Sequence, residues 1–190
     1  MSAVLEYPQR HAVNAQEYLR MGEAGVFAPE ARLELIEGEI VEMAPIGSPH
    51  AGAVNVLNRL FVRLAGDLAI VSPQHPLIVG DRSVPQPDLA LLKPRADSYS
   101  RSHPEAADVL LVVEVADTTL SFDVGTKIPL YARSGIAEAW VLDVQERALR
   151  VFRDPAPGGY RTSFTRSGAE SVSALALPAI AFAIAALFPE

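Results

Sequence analysis

Two acids and one lysine stand out for the residues around them. Glu114 lies within Leu110-Leu111-Val112-Val113-Glu114-Val115. An ionised carboxylate in so apolar a run is costly unless a cation or hydrogen bonds compensate it. Two readings fit: a metal ligand at the open end of a strand, or an acid at a sheet edge that reaches solvent or pairs with arginine. Asp88 follows Pro87 and precedes Leu89-Ala90-Leu91-Leu92. Pro-Asp alone is a weak signal, but two strands that each carry one acid can set two carboxylates side by side. Hard cations such as Mg²⁺ take oxygen ligands, with one or two carboxylates completed by waters, and the Val115 carbonyl could add another oxygen. Lys127 follows a polar loop over residues 118–123. Pro129 lacks an N–H and clashes with the preceding turn of a helix, which predicts a late helix start with Thr126 as one N-cap candidate. Lys127 would then sit in the first turn, against the helix dipole, and an acidic neighbour would supply the compensation.

The elements that must position these groups can be read from periodicity and caps. Residues 14–25 predict a short helix capped by Asn14 and ended near Gly22 or Gly25. Residues 32–43 alternate about Glu37-Gly38, which signals a β-hairpin with Gly38 at positive φ. A longer helix follows, with Ser48 as N-cap and Pro49 at its first position. Its inner face is Val54, Leu57, Phe61, Leu64 and Leu68. Strands are expected over 69–80, broken near Pro73, and over 84–92, entered through two prolines. After a polar loop, 109–116 reads as a strand buried on both faces. A helix from roughly Asp123 or Thr126 to Ser134, with Gly135 at C′, comes next, then strands over 138–144, 148–153 and about 160–164. The core order is helix, strand, strand, strand, helix, strand, preceded by the hairpin.

The totals bound the function. The 190 residues are 49% hydrophobic and 21% charged, the profile of one globular domain. The absence of cysteine excludes disulfides, thiolate metal sites and a cysteine nucleophile, and fits a reducing cytoplasm. No nucleophile elbow or serine triad signature appears. Residues 1–10 lack the apolar stretch of a secretory signal. The apolar run 175–188 is interrupted by Pro178 and falls short of the roughly 20 residues of a membrane span. It predicts a docked tail or a homodimer contact. The net charge of −7 argues against a broadly basic, sequence-independent DNA-binding surface. A local patch could still come from Arg82, Lys93, Arg95, Arg101, Lys127 and Arg133.

Several short motifs then converge. They are E-L-I-x-G-x-I from Glu34 to Ile40, His50 early in a helix, Pro87-Asp88 and Glu114-Val115. D-x-x-x-K-x-x-x-Y at Asp123, Lys127 and Tyr131 follows, then G-I-x-E-x-W-x-x-D from Gly135 to Asp143. In this order the chain resembles the bacterial putative restriction endonuclease family, formerly a domain of unknown function, of the PD-(D/E)XK nuclease superfamily. The resemblance covers about residues 14 to 188. It implies one α/β domain over 1–190, with a restriction endonuclease-like core and an added N-terminal hairpin and C-terminal strands. It implies DNA as substrate and Mg²⁺ or Mn²⁺ as cofactor, with Asp88 and Glu114 as the metal-binding acids. The superfamily lysine position is Ala116 here, so the resemblance assigns the amine to Lys127. His50 and Glu34 match recurrent family positions and join the expected catalytic set. Asp123 reads better as a cap, and Trp140, Tyr131 and Phe122 as core. Another departure is Ala116-Asp117-Thr118-Thr119, where the family commonly has serines. The rival class is a non-catalytic interaction protein that keeps the fold; convergence of Asp88, Glu114 and Lys127 in one cleft would favour the enzyme.

Overall fold

The strand predicted to be buried on both faces is the centre of the molecule. In the computed structural model, which describes residues 10–188, β5 (Val109–Ala116) lies third in a six-stranded sheet of order β3-β4-β5-β6-β7-β8. The other strands are β3 (Ile70–Ser72), β4 (Leu89–Leu92), β6 (Glu138–Asp143), β7 (Ala148–Ala156) and β8 (Gly159–Ser167). Within this sheet only β5 and β6 pair in parallel, which a tight turn cannot achieve, so a helical crossover joins them. Before the sheet come α1 (Ala15–Glu23), a hairpin of β1 (Leu33–Ile36) and β2 (Glu39–Glu42), and α2 (Ser48–Ala65). The expected order of core elements is therefore present.

Alternation along β5 sends its side chains to two different cores. Leu111, Val113 and Val115 pack with Ala53, Val54, Leu57 and Phe61 of α2. Val112 and Ala116 pack on the other side, with Ile128 and Tyr131 of the crossover. Glu114 shares that second face by its position. It is 2% exposed on a central strand, so the sheet-edge reading does not hold.

The crossover departs from expectation. Its helix does not start late at Asp123 or Thr126. It begins as α3 (Leu120–Phe122), passes through a π-helical turn (Asp123–Lys127) and continues as α4 (Ile128–Arg133). Within it the Ile128 N–H donates to the Asp123 carbonyl, five residues back. The wider turn lets the helix absorb a proline that cannot donate, instead of ending there. Lys127 thus lies inside the helix, not at an exposed N-terminus. At the far end Gly135 takes φ +78, as a C′ residue should.

Smaller differences have local causes. The α2 N-cap is Gly47, so Ser48 and Pro49 are its first two residues. The helix stops at Gly66 (φ +49), which leaves Leu68 beyond it and 62% exposed, not on the inner face. The strands expected over 69–80 and 84–92 shrink to β3 and β4, because Pro73, Pro76, Pro85 and Pro87 offer no N–H to a ladder. The hairpin turns at Glu37 (φ +50) and Gly38 (φ +89); a Cβ at Gly38 would meet Ala12 at 2.8 Å.

The apolar run 175–188 is docked within the chain. Ser171–Ser173 (β9) and Ala181–Ala183 (β10) form a small hairpin, and Leu177, Ile184 and Leu187 enter the α2-side core. Phe182 packs edge-on against Phe61 and Trp140, with ring centroids 5.9 and 6.1 Å away. Buried Glu138 anchors this segment by accepting the Leu175 N–H at 2.6 Å. Among the described residues, no helix is long and apolar enough to cross a membrane.

Candidate active site

Antiparallel pairing of β4 with β5 sets Leu89 opposite Val113. Asp88, just before β4, therefore reaches the same end of the sheet as Glu114. Its Oδ2 accepts the Val115 N–H at 2.8 Å, so the Asp88 side chain continues the ladder that Pro87 interrupts. Its Oδ1 faces His50 Nε2 at 2.8 Å and the Gln74 amide at 3.3 Å. His50 comes from the first turn of α2.

Glu114 is held from the crossover helix. Tyr131 donates to its Oε1 at 2.5 Å, and Lys127 Nζ lies 3.3 and 3.4 Å from its two oxygens. The same ammonium donates to Glu34 Oε1 at 3.0 Å. Glu34 is a buried strand acid; its Oε2 is buried without a hydrogen-bond partner among the described residues. Asp123 lines the site as well and accepts the Thr119 hydroxyl at 2.6 Å. All five expected residues, Glu34, His50, Asp88, Glu114 and Lys127, border one cleft of about 50 Å³. That is room for a few waters or a hydrated ion.

Tyr131 was expected only in the core, and it is fully buried there. Its hydroxyl is nevertheless a site group, and the spacing that singles out Asp123 and Lys127 also singles out Tyr131. Gln74 carries no comparable signal, since it lies in an irregular segment far from the motifs. Lys127 cannot join a basic surface patch, because it is 2% exposed. Arg133 pairs with Glu37 and Arg95 with Asp97.

The electrostatics are lopsided. Burial pushes Glu34 and Glu114 up from the usual carboxylate range, against the pull of Lys127, and nearby acids add to the push. Burial likewise raises Asp123 to about 6. Burial alone would lower the Lys127 pKa, but Glu114, Glu34 and Asp123 outweigh it and keep the amine charged. The hydrogen bond to Asp88 raises His50, against desolvation. One ammonium thus faces several carboxylates, and the cluster is short of positive charge.

A hard divalent cation fits that deficit: the donors are oxygens, and Glu34 Oε2 has no partner. No group of three or more His, Asp or Glu side chains forms a ready-made cage among the described residues. What the oxygens could offer a hard divalent cation is one or two carboxylates, with waters completing the shell.

The fold is similar to that of a solved putative nuclease. The crystal structure of a putative nuclease belonging to DUF820 from Anabaena variabilis ATCC 29413 superposes with a TM-score of 0.72. The match covers 93% of this chain and 97% of that one at 17% identity, a likeness of fold. The family follows from the sequence: residues 15–185 match the model of Uma2, described as putative restriction endonuclease, and the chain belongs to that family. No curated protein matches it.

Proposed function

We propose that this chain, as one restriction endonuclease-like domain over residues 1–190, is a divalent-metal-dependent endonuclease that hydrolyses phosphodiester bonds of DNA in the cytoplasm. The observation that carries the reading is the convergence of Asp88, Glu114 and Lys127 on one cleft, bordered by His50 and Glu34. Asp88 and Glu114 would hold one Mg²⁺ or Mn²⁺, which supplies polarisation of the phosphate and acidification of water. The Lys127 ammonium stabilises charge that develops on the phosphoryl oxygens or orients the attacking water. Water oxygen bonds to phosphorus as the ester P–O bond breaks, with no covalent enzyme intermediate. His50 fixes the orientation of the Asp88 carboxylate, and Glu34 holds Lys127 in place. A homodimer built through the C-terminal tail would have to use exposed parts such as Leu175, since Leu177, Ile184 and Leu187 are committed within the chain.

The net charge of −7 and the pairing of Arg95, Lys127 and Arg133 favour a second reading, a non-catalytic interaction protein on the same fold. Fold alone does not decide between them. The test is cleavage of supercoiled, linear and single-stranded DNA with Mg²⁺ or Mn²⁺, comparing wild type with Glu114→Ala. The nuclease reading expects metal-dependent cleavage that the variant lacks. A wild type inert with every metal and DNA form moves the interaction protein ahead.

A further inference from the structure

The cleft that should receive a polyanion is lined by five acids: Glu34, Asp88, Glu114, Asp117 and Asp123. Its cationic or protonatable lining groups are Arg32, His50 and Lys127. Lys127 is engaged by Glu34 and Glu114, and His50 by Asp88. Arg32 is different. Among the described residues it forms no ion pair, although it shares the cleft with those acids. It is half-buried, immediately before β1, and two residues from Glu34. Residues at that spacing share one face of an extended chain, roughly 7 Å apart. Its charge is close enough to His50 to oppose protonation of that ring.

Arg32 is also held in position. Its Nη1 donates to the Ala44 carbonyl, and its own carbonyl accepts the Met43 N–H at 2.8 Å. One N–H of the guanidinium is used on the lip of the cleft. The rest of the planar fork remains, and that fork matches the oxygens of a phosphate. Pre-ordering by the lip reduces the entropy lost when an anion binds.

We infer that Arg32 binds a DNA backbone phosphate flanking the scissile one, as a substrate-positioning residue of the nuclease site. The inference rests on the nuclease reading. An uncommitted cation one pleat from the acid cluster offsets the repulsion between phosphates and carboxylates at the mouth of the cleft. Because the contact is present before and during reaction, it lowers KM and leaves kcat nearly unchanged.

Arg32→Gln is the informative variant, because glutamine can still donate to the Ala44 carbonyl but carries no charge. Steady-state cleavage with Mg²⁺ should show KM raised about tenfold and kcat within about twofold. Fluorescence anisotropy of a labelled DNA duplex, with Ca²⁺ replacing Mg²⁺, should show a log K against log[salt] slope shallower by about 0.9, one phosphate contact. Arg32→Lys should keep the wild-type slope and recover part of KM. Mn²⁺ binding by calorimetry should be unchanged in both variants. A wild type that cleaves, beside an Arg32→Gln variant with unchanged slope, overturns the inference and makes Arg32 a support for the 43–47 lip. A wild type that neither binds nor cleaves DNA overturns the nuclease reading and this inference with it.

Discussion

Lys127→Met removes the one ammonium between Glu34 and Glu114 while keeping most of the unbranched stem. Lys127 is 2% exposed and lies 3.0 Å from Glu34 and 3.3 Å from Glu114. Removing one member of a buried ion pair costs about 3–5 kcal/mol, because the remaining charges lose compensation. For a chain of this size each kcal/mol lowers Tm by about 2–4 °C, so a drop of about 6–20 °C is expected at pH 7. The loss should shrink on acidification. Glu34 and Glu114 already have raised folded-state pKa values, and the variant lacks the pull of Lys127, so both rise further. A raised carboxylate favours folding below its unfolded pKa, near 4.3, and the contribution is lost as pH rises through the folded value. The variant should therefore recover relative to wild type as pH falls from 7 towards 4.5. Metal-free urea denaturation across that range is the assay. The triple change Lys127→Met, Glu34→Gln, Glu114→Gln should regain much of the stability, because no buried charge is left unpaired. A Lys127→Met protein as stable as wild type at pH 7, with no altered pH dependence, would refute the buried triad. Any activity comparison must then be made well below the lowered Tm, where transition-state stabilisation by the amine should be worth roughly 100-fold in rate.

Asp88→Asn should abolish Mn²⁺ binding in calorimetry, since the amide keeps an acceptor for the Val115 N–H but loses the charge; equal binding would remove Asp88 from the metal site. Tyr131→Phe should cost about 1–3 kcal/mol in urea denaturation by taking a buried donor from Glu114, and an unchanged midpoint would contradict that contact. Asp123 has its pKa raised to about 6, so its favourable contribution is complete below about pH 4 and lost as pH rises through 6. Asp123→Asn stays neutral, so the metal-free variant should exceed wild type by about 3 kcal/mol well above pH 6 and match it below pH 4; a pH-independent difference would show that burial does not perturb Asp123.

The parts of the fold that were legible in sequence are those governed by local pattern. The β5 boundaries follow from an apolar run interrupted only by Glu114, the hairpin from alternation about Glu37-Gly38, and the start of α1 from the Asn14 cap. What sequence obscured depends on distant partners. Glu34 resembles an exposed hairpin acid until the crossover helix brings Lys127 to it from 93 positions away. The strands expected over 69–80 and 84–92 are short in the structure because four prolines remove ladder donors over that stretch.

The helix start is the most instructive departure, because it bears on how a lysine can serve this site from outside the strand. Pro129 alone predicts Lys127 in a first turn, where the amine needs an acid merely to offset the dipole. The π-helical turn carries the helix past Pro129, with helical residues on both sides of Lys127. The amine is therefore presented from a supported segment and meets two carboxylates at once. The strand accommodates that approach. Ala116 is two residues from Glu114 on the same face of β5, is 1% exposed, and packs in the cluster that contains Ile128 and Tyr131. A long side chain at 116 would compete with the helix for that space, whereas alanine lets it come close. Small residue on the strand and long amine on the helix are then two halves of one packing solution, and an amine restored at 116 should be tolerated only when the one at 127 is shortened.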